Sequence, residues 1–273
     1  MAQVSAWGRG RGGRRGAAIL AAAAFGLDAI RALAAPSGAS CPPTVPSAFA
    51  ENGADAPLVG RAASSRPLRI LAIGSSSTLG VGASAPGRAY PAQLAADLAS
   101  RWGVAAEVRN AGVSGELSAA TLARLTGDLA RDPPDLVLWQ VGTNDAVAGV
   151  DVADFRANVE AGVAAARARR VPIILVDPQF YFGIQDLPRF ERFVAVIGEV
   201  GAETRVPVFS RFALMKAWAA QSSAALAAAL ASDGFHMDDQ GYACFARALA
   251  DDIAREDGRE ANLAAKMRGA EAR

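Results

Sequence analysis

His236 is the only histidine of the chain, and it stands three residues after Asp233 in the segment DGFH. An imidazole titrates near pH ~6.5, so it shuttles protons at neutral pH better than other side chains. A carboxylate in the same short loop can turn back to Nδ1, fix the tautomer and leave Nε2 to act as a base. Such a base needs a hydroxyl to activate, and the turn GSSSTLG at residues 74–80 supplies several. That turn has a second reading, because a glycine- and serine-rich passage from strand to helix offers backbone N–H groups suited to a phosphate. It lacks the Gly-Lys-Ser/Thr ending of a P-loop. Taken alone, it leaves both readings open.

The elements that must position these residues follow from the hydrophobic pattern. From Leu68 onward, apolar runs of strand length alternate with segments of helical period, the sign of a parallel sheet covered on both faces. Strands are predicted at Leu68–Gly74, in AEVRNAG ending at Gly112, in DLVLWQVG ending at Gly142, in VPIILVD ending at Asp177, and at Val206–Phe209. Helices are predicted over Pro91–Trp102, Ser118–Ala130, Val152–Arg170, Pro188–Thr204 and from Asp239 to about Arg255, with Pro91 in a first turn and Ser118 at an N-cap. Ligands of such folds bind beyond the carboxyl ends of the strands. GSSSTLG, NAGVSG and GTND all follow strands, and DGFH precedes the last helix, so four polar loops are expected along one edge.

With these four segments in this order, the chain resembles the SGNH (GDSL-type) hydrolases over roughly residues 68–256. The resemblance implies a flavodoxin-like three-layer α/β/α sandwich around a mostly parallel five-stranded sheet, and no metal or organic cofactor. It implies Ser76 as nucleophile, Asp233 and His236 as its partners, and an oxyanion hole formed by the Ser76 N–H, the Gly112 N–H and the Asn144 amide. Where the family usually reads Gly-Asp-Ser, this chain has Gly74-Ser75-Ser76; the flanking register puts Ser75 in the aspartate's place and keeps Ser76 as the attacker. Asn144 and Asp145 also suit the start of the following helix; Asn144 is assigned to chemistry and Asp145 to structure. Gly142 is read as an ordinary turn residue, and Asp238 and Asp239 as a helix start. Phe180 and Tyr181 in PQFYFG are candidates to line a substrate pocket.

The activity expected is that of a serine esterase acting through an acyl-enzyme on a small-molecule or carbohydrate ester, with a carbohydrate acetyl group among the candidates. An O-acyltransferase using the same residues, a phosphate- or flavin-binding module and an idle binding domain are the rival readings.

Composition bounds the setting. Arg9, Arg11, Arg14 and Arg15 precede the apolar run AAILAAAAFGL, and small residues follow at Ala32-Leu33-Ala34, the order of a secretory signal over residues 1–35. The run is well short of the roughly 20 residues that span a bilayer, so no stable membrane span is expected after cleavage. Of 28 Lys+Arg and 27 Asp+Glu in the chain, residues 36–273 hold 23 and 26, a net charge of −3 that disfavours nucleic acid as a partner. Residues 36–66, rich in Pro, Ala and Ser, read as an arm; 67–256 read as the catalytic domain and 257–273 as a charged tail. Cys41 and Cys244, an even pair in an exported chain, are expected to form a disulfide.

Overall fold

The structure is a computed structural model that describes residues 41–42 and 66–254. The expected signal over 1–35, most of the arm and the tail over 257–273 lie outside the described residues. The described elements are β1 (Leu68–Gly74), α1 (Ser76–Leu79), α2 (Tyr90–Trp102), β2 (Ala106–Gly112), α3 (Ser118–Arg131), β3 (Leu136–Gln140), α4 (Thr143–Ala148), α5 (Val152–Ala168), β4 (Ile173–Val176), α6 (Leu187–Thr204), β5 (Val208–Phe209), α7 (Arg211–Gln221) and α8 (Ser223–Ala227). A last helix, α9, is described over 239–254. The strands form one parallel sheet in the order β2-β1-β3-β4-β5. The sequence did not foretell α4, α7 and α8, and the predicted fifth strand shrinks to two residues.

Side chains alternate across a strand, so each central strand feeds two cores. Ile70 and Ala72, Leu136 and Leu138, and Ile174 and Val176 point to one side, where Leu94 and Leu98 of α2, Trp218 of α7 and Phe245 of α9 cover them. Leu71 and Ile73, Val137 and Trp139, and Ile173 and Leu175 point to the other, under Leu125 of α3, Val159 of α5 and Phe193 of α6. Fully burying side chains of this size is worth roughly 1.5–3 kcal/mol each, which is what holds helices on both faces. Trp139 reaches α5 only because residue 162 is glycine; a Cβ there would lie 2.0 Å from the indole ring.

Cys41 and Cys244, 203 positions apart in the sequence, are joined by a disulfide with Cα atoms 5.4 Å apart. The bridge fastens the chain before β1 to α9, and Cys41 packs against the same core as α2, α7 and α9.

Candidate active site

At the carboxyl end of β1 the chain turns straight into α1. The Ser75 carbonyl accepts from the N–H groups of Thr78 and Leu79 at 3.1 and 3.0 Å, and Gly80, at φ +102°, closes the short helix on the Ser76 carbonyl. The Ser76 N–H, first in α1, belongs to the group of N–H donors that a helix cannot satisfy itself. The three consecutive serines are all buried but face different partners. Ser76 Oγ lies 2.9 Å from His236 Nε2, whereas Ser77 Oγ donates to Gln179 Oε1 at 2.9 Å.

His236 Nδ1 lies 2.6 Å from Asp233 Oδ2. The other carboxylate oxygen of Asp233 accepts from the backbone N–H groups of Phe235 and His236, each at 2.9 Å. Gly234, at φ +65°, gives the turn that brings these donors round. Partial burial pushes the Asp233 carboxyl up, but the bond from His236 and the two backbone donors outweigh it and hold the carboxyl below its ordinary value. A hydroxyl on one ring nitrogen and an ionised carboxylate on the other is the arrangement that lets imidazole take a serine proton.

The loops after β2 and β3 adjoin this chain of contacts. Gly112 packs directly on α1: a Cβ would lie 2.0 Å from the Leu79 nitrogen, so the close approach its glycine permits is to the turn holding Ser76. Its N–H donates to Asn110 Oδ1 at 2.9 Å. Asn144, at the start of α4, directs one amide hydrogen to the Glu116 carbonyl at 2.8 Å, and a second remains on the same nitrogen. Asp145 does cap a helix, but not its own. Its carboxylate accepts from the Ser118 N–H at 2.9 Å and the Ser118 hydroxyl at 2.6 Å, holding the start of α3. Ser118 is therefore the first helical residue and a donor, not the N-cap expected; Leu117 holds that place. Gly142, at φ +102°, caps α4, and Asp238 accepts from Gly241 N–H at 2.8 Å at the start of α9. Phe180 turns inward, edge-on to Phe212 with ring centroids 5.6 Å apart. Tyr181 meets Phe235 at 4.7 Å, and Phe235 in turn meets His236 at 4.8 Å.

Several residues of this edge carried no readable signal in the sequence. Arg124 of α3 donates to the Ala111 carbonyl at 2.8 Å and the Gly74 carbonyl at 3.3 Å, fastening the ends of β1 and β2 while paired with Glu116. Asp177, just past β4, is buried with Arg211. It accepts from Ser210 Oγ at 2.6 Å and Phe212 N–H at 2.8 Å, and its backbone carbonyl accepts from Arg211 Nε at 3.3 Å. Burial pushes the Asp177 carboxyl up to about 7 against the pull of these donors and the guanidinium, and pushes Arg211 down to about 10.

Residues 41–257 match the non-GDSL lipase-like family. Over 110 residues the chain is 36% identical to esterase TesA of Pseudomonas aeruginosa, a stretch covering 37% of this chain and 52% of that protein. The match thus spans about half the length of that relative. A lipase/acylhydrolase from Enterococcus faecalis superposes with a TM-score of 0.60 at 25% identity, covering 68% of this chain and 95% of that one. AlinE4, an SGNH-hydrolase family esterase, does so with a TM-score of 0.51 at 27% identity, over 59% of this chain and 84% of its own. With the order of its four polar loops, its sheet topology and this match across most of its length, the chain belongs to the non-GDSL lipase-like family and is an SGNH-type hydrolase.

Proposed function

We propose that the protein is an exported serine esterase that hydrolyses a small acyl ester through an acyl-enzyme on Ser76. The observation that supports this reading is the contact chain from Ser76 Oγ through His236 to Asp233, at 2.9 and 2.6 Å. Ser76 Oγ attacks the ester carbonyl as its proton passes to His236 Nε2, and Asp233 stabilises the imidazolium. The oxyanion is met by the Ser76 N–H, the remaining Asn144 amide hydrogen and the Gly112 N–H, which exchanges Asn110 Oδ1 for it; each donor lowers the barrier by about 3 kcal/mol. Collapse breaks the bond to the alcohol, which leaves with the proton from His236. A water molecule, deprotonated by the same nitrogen, then releases the acid.

Four exposed large hydrophobic side chains support an uncharged ester. Among the described residues, Leu79, Val113, Val147 and Phe182 stand on the segments that follow β1, β2, β3 and β4, the carboxyl edge of the sheet on which Ser76 also lies. The Cys41–Cys244 bridge and the arginine-led apolar run support export, since structural disulfides belong to oxidising compartments.

A panel of chromogenic esters from acetyl to long-chain tests the reading. Short neutral esters should be hydrolysed, and Ser76→Ala should lower kcat by at least about 10⁴-fold. A wild-type protein inert towards the whole panel, or a Ser76→Ala variant of ordinary activity, would remove the proposal. Addition of a sugar acceptor separates hydrolysis from acyl transfer: product acid should still dominate.

A further inference from the structure

One buried side chain outside the Ser76–His236–Asp233 contacts touches both loops that those contacts join. Gln179 lies three residues beyond the end of β4 and is 2% exposed. Its Oε1 accepts from Ser77 Oγ at 2.9 Å, and its Nε2 donates to the Phe235 carbonyl at 3.0 Å. Ser77 is the residue after Ser76, and Phe235 is the residue before His236. The amide orientation is dictated by chemistry, because a backbone carbonyl can only accept.

Other bonds at this edge do different things. Gln140 accepts from Thr78 Oγ1 at 3.0 Å and so ties α1 back to β3. The bonds from Ala231 N–H to the His236 carbonyl and from Asp238 N–H to the Ala229 carbonyl shape the histidine loop from within. Ser84 to Asp239 and Tyr242 to the Val81 carbonyl join the outer ends of the two regions. Gln179 alone, among the described contacts, bonds to the immediate neighbours of both Ser76 and His236.

We infer that Gln179 is a positioning residue that sets the distance between Ser76 Oγ and His236 Nε2 by bridging Ser77 and Phe235. The inference rests on the proposed roles of Ser76 and His236. An amide meets both needs because it offers an acceptor to the hydroxyl and a donor to the carbonyl. A carboxylate would set a second acceptor against the Phe235 carbonyl, and an apolar side chain would remove the acceptor from Ser77 Oγ and the donor from the Phe235 carbonyl. Misplacement of reacting groups by about 1 Å costs roughly 10²-fold in rate, so a brace of this kind acts on kcat while the substrate's binding surfaces stay in place.

The test is steady-state kinetics with Gln179→Leu and Gln179→Glu in the full chain, with His236→Ala as reference. Gln179→Leu should lower kcat about 10- to 100-fold, with KM within about threefold of wild type. Gln179→Glu should retain more activity at acidic pH, where the protonated carboxyl can donate to Phe235. Its rate relative to wild type should then fall as pH rises and the carboxylate repels that carbonyl. A residue that merely fills space would give a pH-independent ratio. If Gln179→Leu does not fold, Ser77→Ala removes one arm of the bridge and should lower kcat by about threefold or more at constant KM. An inactive His236→Ala beside a Gln179→Leu variant of wild-type kcat, or a flat pH ratio for Gln179→Glu, overturns the brace alone. A His236→Ala variant of ordinary activity overturns the proposed mechanism and the brace with it.

Discussion

Two carboxylates near the same edge of the sheet have been driven in opposite directions. Asp233 sits in a loop with its side chain 46% exposed, receives three hydrogen bonds and has its carboxyl held below the usual range. Asp177 sits just past β4, is fully enclosed, receives hydrogen bonds from Ser210 Oγ and the Phe212 N–H beside the Arg211 guanidinium and is pushed up to about 7. The number of donors does not decide the outcome. What decides it is whether water is still present to help carry the charge when the donors are counted. Near the surface, backbone N–H groups and water together keep a carboxylate ionised, whereas in the core a neighbouring guanidinium does not offset the loss of water.

The two carboxylates should differ most in turnover. Asp233→Asn should lower kcat about 10³- to 10⁴-fold at pH 7, since the imidazole loses the group that orients it and balances its charge, whereas Asp177→Asn should stay within about fivefold of wild type. Ester kinetics on the two variants check this, and equal losses would dissolve the distinction.

The next effect lies in stability against pH. The folded protein holds the Asp177 proton to higher pH than the unfolded chain does, so this group's contribution is fully present below the ordinary carboxyl range and is lost as pH rises through about 7. Asp177→Asn should flatten the decline in denaturation midpoint between pH 4 and pH 7. Asp233 acts with the opposite sign: its contribution is present above the unfolded carboxyl range and is lost as pH falls below it. A wild-type midpoint that rises with pH from 4 to 7, and an Asp177→Asn profile of the same shape, would contradict the assignment.

A smaller effect should separate the two regions through α9. Reducing the Cys41–Cys244 bridge should cost about 2 to 4 kcal/mol of stability, read by denaturant titration, and should lower kcat by loosening the loop that leads into α9. The pH slope attributed to Asp177 should survive reduction, because its partners lie on the segment around β4 and α7. The smallest change is expected from Phe182→Ser, which should raise KM about two- to fourfold for apolar esters with kcat unchanged, in keeping with the loss of part of one apolar contact.

The architecture was legible because the alternation within LRILAIG, DLVLWQVG and VPIILVD serves two cores, and because the intervening segments have helical spacing long enough to cross back. That the loops carrying Ser76, Asp233 and His236 share one edge was legible from a single available imidazole, a nearby carboxylate and strand-end loops, whereas the choice of Ser76 among three serines rested on the resemblance to SGNH hydrolases. Gln179 was not, since PQFYFG displays its aromatics, and the partners of the amide lie 102 and 56 residues away. Arg124, Arg211 and the cap that Asp145 gives to α3 were hidden for the same reason: a buried polar side chain is defined by what it meets, and neither periodicity nor propensity encodes that meeting. The short α4, α7 and α8 were missed because their amphipathic stripes are too brief or too apolar to show a clear period. The N–H of Gly112 was expected to face a substrate, and without an alignment of backbone and side chain the sequence could not reveal Asn110 as its resting partner.

The proposed mechanism requires one particular serine to react. Ser75, Ser76 and Ser77 are adjacent and buried, yet only Ser76 Oγ lies beside His236 Nε2. Treatment of the folded protein with an organophosphonate probe, followed by peptide mass spectrometry, reads the answer directly. The label should fall on Ser76, should arrive with loss of esterase activity, and should be nearly absent in His236→Ala. Label on Ser75 or Ser77, or full labelling of Ser76 in His236→Ala, would contradict the assignment of Ser76 as a nucleophile activated by His236.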